Sequence, residues 1–84
     1  MNQEEIMEKV YKAFENADIY IYREMDDLME ARDYITDSFR FIQLIVQLEK
    51  EFSIEIPDDL LMFDNFDSFD KIYNIISGLI IAAD

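Results

Sequence analysis

Cysteine and histidine are both absent from this chain of 84 residues, and glycine and proline occur once each. Without cysteine there are no disulfides, no thiolate metal sites and no thiol nucleophile; without histidine the usual general base near neutral pH is missing. Most enzyme chemistry is thereby excluded, and the chain is not expected to be an enzyme. Positive charge is also scarce, with 7 Lys and Arg against 20 Asp and Glu and a net charge of −13. Nucleic acid is an unsuitable partner, because neutralising backbone phosphates requires clustered cations. No apolar run approaches the roughly 20 residues that span a bilayer. No basic segment precedes an apolar run at the amino end, so no leader is expected and the protein is expected in the cytoplasm.

What the chain does have is apolar content, 51% of its residues, enough to close one small core. We expect a single domain over residues 1–84, acting as a monomer. Its acids are unevenly spread. Residues 1–37 carry 11 acids and 4 bases, residues 38–52 carry two of each, and residues 53–84 carry seven acids and one base. A neutral island therefore separates two acidic regions. Such an excess keeps a small domain soluble and steers it toward basic surfaces, although most individual acids serve only as solvated surface.

Helical spacing marks three segments. Ile6, Val10, Ala13, Phe14 and Ala17 share one face of a first helix, with Asn2 as its cap, Glu4 and Glu5 near its start and Lys9 and Lys12 outward. Residues 18–36 lose a clean period: Ile19-Tyr20-Ile21-Tyr22 alternates too briefly for a strand, and Asp26 to Arg32 has room for a turn or two of helix. An ordered linker is expected there, pinned to the core by Ile19, Ile21, Met25, Leu28 and Ile35. A second helix, capped by Asp37 or Ser38, runs to about Phe52 with Phe41, Leu44, Ile45, Leu48 and Phe52 as its core stripe. Phe39, Ile42 and Val46 make a second stripe beside Ser38. Either it is a docking surface or the linker folds over it.

Pro57 opens a short run, Asp58 to Phe63, suited to a brief third helix. The last helix starts at Asp67 or Ser68 and buries Phe69, Ile72, Ile75, Ile76 and Leu79, with Gly78 weakening it locally. The expected fold is all-α, a four-helix bundle with a long first linker and a very short third helix.

Asp37-Ser38-Phe39 is the most informative triplet. It sets a serine hydroxyl at a helix start, where unpaired amides and the positive end of the dipole accept a phosphate. Together with Leu44, Leu48, Glu49-Lys50-Glu51-Phe52 and Ile54-Glu55-Ile56-Pro57-Asp58, it resembles the acyl carrier protein family. The length and helix order of the whole chain fit, and residues 37–58 carry the specific likeness. The resemblance implies the acyl-carrier type of bundle and a 4′-phosphopantetheine arm, received from coenzyme A, on Ser38. It further implies a phosphopantetheinyl transferase (holo-carrier synthase) and downstream acyl-processing enzymes as partners. The arm brings the reactive thiol, so the lack of histidine and cysteine is in keeping.

Phe39 and the later run Phe63 to Phe69 also look similar to D-alanyl carriers and to free-standing carriers loaded by AMP-forming acyl or aminoacyl ligases. Arg40, Gln43 and Lys50 stand where fatty-acid-type carriers have acids. That departure points away from bulk fatty acid synthesis and toward a dedicated ligase, met through Asp37, Phe39, Arg40, Ile42 and Val46. Tyr34-Ile35-Thr36 occupies a stretch where the family often has a glycine.

Asp67-Ser68-Phe69 repeats the triplet without the downstream context, so Ser68 is read as a helix cap. Asp64, Asp67 and Asp70 are evenly spaced, but a calcium loop of the EF-hand type from Asp64 meets Phe69 and Ile75 where it needs glycine and glutamate; no metal site is expected. Asp26 and Asp27 read as solvated surface rather than a catalytic pair. The competing reading is a non-catalytic acidic helical module that binds other proteins through the Phe39, Ile42 and Val46 stripe.

Overall fold

In the computed structural model, which describes residues 1–22 and 29–83, every regular element is helical. Helix α1 spans Gln3–Asn16, α2 Ala31–Tyr34, α3 Ser38–Phe52 and α4 Phe69–Ala83. Two single 3-10 turns, Asp58–Leu60 and Phe63–Asn65, lie between α3 and α4.

The ends of these helices are set by side chains that the sequence places where backbone groups lack partners. Asn2 Oδ1 accepts the Glu5 amide at 2.8 Å and starts α1. The helix stops because Asp18 adopts a left-handed conformation (φ 62°). Its amide donates to the Glu15 carbonyl at 3.0 Å, and the Ile19 amide reaches back to Phe14 at 2.9 Å. That pair of bonds closes a Schellman turn with Phe14 and Ile19 both buried. At the far end of α3, Ser53 (φ 54°) plays the same part. Ser68 Oγ accepts the Lys71 amide at 3.2 Å at the start of α4, as a cap should.

The core lies between α1, α3 and α4, with α1 packed against both of the others. Ile6, Val10, Ala13 and Phe14 from α1 meet Leu44, Ile45 and Leu48 from α3 and Ile72 and Ile76 from α4. Phe69 joins three elements: its ring lies 5.6 Å from Tyr11, 5.6 Å from Phe14 and 6.2 Å from Tyr34. Edge and tilted arrangements of this kind add to what the buried area alone contributes. Ile56 and Phe66 close the core from the segment between α3 and α4.

Two local features depart from expectation. The brief helix expected after Pro57 is a pair of 3-10 turns, since the chain bends at Leu61 and Met62 between them. Lys9, expected outward, lies over the Phe52 ring at 5.8 Å. The turn of helix for which the linker had room is found at Ala31–Tyr34, where the Glu30 amide donates to the Asp33 carboxylate at 2.8 Å to start α2. The linker is pinned as expected by Ile19 and Ile35, which are buried, and by the half-buried Ile21. Met25, Leu28 and the Asp26 and Asp27 pair fall outside the described residues. Among the described residues, no helix is long and apolar enough to cross a membrane.

Candidate functional site

Ser38 is the first residue of α3 and is exposed. Its position follows from Asp37, which stays extended (φ −157°, ψ 170°) and turns its carboxylate over the helix start, where Oδ1 accepts the Arg40 amide at 2.7 Å. The Asp37 carbonyl takes the next amide, that of Phe41, at 3.1 Å. The amides of Ser38 and Phe39 thus precede the regular ladder of the helix. No acid lies within the first turn of α3 itself, so an anion esterified to the serine meets the positive end of the dipole beside one carboxylate, that of Asp37, which is engaged by the Arg40 amide.

Beside the hydroxyl is an open hollow of about 280 Å³, lined by Ile35, Thr36, Asp37, Ser38, Phe41 and Phe63. Its far wall is aromatic. Phe41 lies edge-on to Phe63 at 6.0 Å and edge-on to the fully buried Phe66 at 5.6 Å. The ring chain ties the wall of the hollow to the core, and gives the mouth an apolar rim.

Two contacts hold this end of the molecule in place. Glu49, three turns along α3, accepts the Ile56 amide on Oε2 at 2.8 Å, while its own carbonyl takes the Ile54 amide at 3.1 Å. The chain is thereby folded back along α3, burying Ile56 and bringing Phe63 to the hollow. Arg40 donates from its guanidinium to the Asp18 carbonyl at the end of α1. The last turn of α1 has no basic residue of its own, so the cation at its negative end comes from α3.

The residues singled out from the sequence separate into two groups. Phe39, Ile42 and Val46 are exposed at 67%, 61% and 41%, so the described part of the linker leaves this stripe uncovered. Asp37 and Arg40, by contrast, are engaged within the chain, one as a cap and the other as the tie to Asp18. Phe63 and the neighbouring Met62 were not singled out for the site. Both are exposed, at 40% and 59%, and Phe63 lines the hollow. Their apolar run was legible, but its return to Ser38 depends on the Glu49–Ile56 bond, which no local pattern announces.

Comparison with known proteins agrees with this geometry. The family model described as the phosphopantetheine attachment site matches residues 24–76. An acyl carrier protein of Thermosynechococcus vestitus is 41% identical over 61 residues, covering 70% of this chain and 74% of that protein. No solved structure gives a significant match.

Proposed function

The chain belongs to the acyl carrier protein family, whose members carry a covalently attached 4′-phosphopantetheine, and from that premise we propose that Ser38 is the residue that bears it. One observation carries the assignment: an exposed serine at the first position of α3, inside the matched segment, beside an apolar-walled hollow and free of acids in its turn. Ser38 Oγ attacks the phosphorus of coenzyme A that bears the pantetheine arm. The phosphoanhydride bond breaks, adenosine 3′,5′-bisphosphate leaves and the hydroxyl proton goes to the transferase. When bound, the group supplies a thiol that carries an acyl or aminoacyl cargo as a thioester. The chain's own contribution is to hold the phosphodiester at a helix start and to present the apolar stripe of α3 to whichever enzyme loads or unloads the arm. It acts as a carrier and not as a catalyst.

The loading enzyme is an AMP-forming acyl or aminoacyl ligase dedicated to this carrier. Support comes from α3, which carries Arg40, Gln43 and Lys50 and has no acid between Ser38 and Leu48, leaving apolar contact through Phe39, Ile42 and Val46 as the means of recognition. Asp37 and Arg40 frame that stripe.

The assignment is tested by coexpression with a broad-specificity phosphopantetheinyl transferase and intact-mass measurement. One 4′-phosphopantetheine is expected on the wild-type chain and on Ser68→Ala, and none on Ser38→Ala. Unmodified wild-type protein, or modification that survives Ser38→Ala, overturns it. An acidic helical module without an arm predicts the first of those outcomes.

A further inference from the structure

Residues 72–83 contain no charged side chain, although the chain as a whole carries a net charge of −13. The exposed positions in that run, Asn74, Gly78, Ile81 and Ala82, recur at helical spacing and make one outward stripe along the last turns of α4. Ile81 is 72% exposed, and Ile75 and Leu79 flank the stripe half-buried. Gly78 lies at its centre. It is the chain's single glycine, and it stands inside a helix, where only proline is less favourable. The fold does not ask for it: its φ is not positive, and among the described residues nothing lies within 4 Å of where a Cβ would be. A side chain missing where no contact within the chain requires it leaves backbone open to close approach from outside. α4 begins beside Tyr34 and the last turns of α1, at the end of the molecule that holds Ser38, so the stripe lies toward the other end.

Charge restricts what can cover this stripe. A basic partner is drawn to acids, which are missing here, and an anionic partner is repelled by the rest of the chain. A face without charge and centred on glycine matches itself, because a two-fold axis at Gly78 sets backbone against backbone and each Ile81 on the other copy's α4. We propose that this stripe, with Gly78 at the crossing and Ile81 packed beside it, is a contact between two copies of the chain. The pairing does not depend on the carrier reading of Ser38 and leaves the Ser38 end of each copy uncovered. It is weak, since a stripe of roughly 12 Å of helix covers far less than the roughly 800 Å² per partner of a standard interface. It also forms against repulsion between two acidic bodies. The chain is then a monomer when dilute and a pair when concentrated. Salt screens the repulsion and spares the apolar contact, so pairing tightens as ionic strength rises.

The test is sedimentation equilibrium of the full chain from about 10 μM to about 1 mM, at low and high salt. The average mass of the wild type is expected to rise toward twice that of the chain, with a dissociation constant on the order of 0.1 mM that falls about threefold at high salt. Gly78→Gln puts a better helix former at an open position; it is expected to keep or raise Tm and to stay monomeric throughout. Ile81→Glu is expected to stay monomeric with the circular dichroism of the wild type. Loss of pairing in a chain that is no less stable cannot come from unfolding. A wild type that stays monomeric at every concentration and both salts overturns the contact. Pairing that survives both substitutions overturns its place on α4, and pairing that weakens with salt overturns an uncharged contact between like-charged bodies. Binding of an unpaired wild type, but not of Ile81→Glu, to phosphatidylcholine vesicles gives the stripe to a lipid surface and overturns the second copy.

Discussion

Glu49 and Ile56 are joined by a hydrogen bond of 2.8 Å from the Ile56 amide to the Glu49 carboxylate, and this bond turns the chain back along α3. It gives a physical content to the spacing Glu-x-x-Phe followed by Ile-x-Ile-Pro. The carboxylate satisfies an amide that Pro57 cannot replace, Phe52 and Ile56 go into the core on either side, and Phe63 of the second 3-10 turn is delivered to the hollow beside Ser38. Glu49→Ala leaves the half-buried Ile56 amide without this acceptor and is expected to cost about 1–3 kcal/mol in denaturant unfolding. Glu49→Gln keeps a carbonyl oxygen at the same reach and is expected to lose less than half of that. Equal losses in the two variants contradict the role given to this bond.

Arg40 ties the first turn of α3 to the end of α1 through the Asp18 carbonyl. The contact is exposed, so its worth is modest, about 1 kcal/mol for Arg40→Ala. Its location is more telling than its size. Amide exchange at Asp18 and Ile19, whose bonds to Glu15 and Phe14 close α1, is expected to quicken several-fold in Arg40→Ala while amides in the middle of α3 keep their wild-type rates. Uniform acceleration across the chain is the result that speaks against a local tie.

Much of the fold was legible in the sequence because the apolar spacing of α1, α3 and α4 is regular and their caps are residues whose side chains have few other uses there. Asn2, Asp37 and Ser68 each accept the amide three residues on. Ser38 was legible as a hydroxyl at a helix start, followed by the run to Asp58 that carries the family resemblance. What stayed hidden depends on contacts distant in sequence. The tie from Arg40 to Asp18 was not legible because nothing near Arg40 in the chain reveals Asp18, and Phe63 read as part of a short helix because its ring partner Phe41 lies 22 positions earlier. Asp18 gives no local sign that it ends α1 left-handed, since glycine is the residue that usually signals such a stop.

That last position offers a stabilising change. A non-glycine residue in the left-handed region carries a cost of about 1 kcal/mol, softened for aspartate, and an acid at the carboxyl end of α1 is also unfavourable to the dipole. Asp18→Gly removes both while keeping the carbonyl that Arg40 holds. Against this stands the greater freedom of glycine in the unfolded chain. The balance is expected to favour glycine by about 0.5 kcal/mol, seen as a rise of about 2–4 °C in Tm. A lower Tm means that the Asp18 side chain contributes more than its backbone strain costs.

Ser38 and Ser68 sit in the same triplet, and the structure gives them opposite liabilities. Ser68 caps α4 with its own Oγ, so Ser68→Ala is expected to destabilise the fold by about 1 kcal/mol. Ser38 lies one residue inside α3, whose cap is Asp37, and alanine is at least as good a helix former at that exposed position; Ser38→Ala is therefore expected to change stability by no more than about 0.5 kcal/mol. Asp37→Ala, which removes the cap itself, is expected to cost about 1 kcal/mol. Thermal melts of the three variants order them Ser38, then Ser68 and Asp37 together. A residue kept for its hydroxyl rather than for the fold is one whose loss the fold does not feel, and a large destabilisation by Ser38→Ala is the observation that returns Ser38 to the role of a cap.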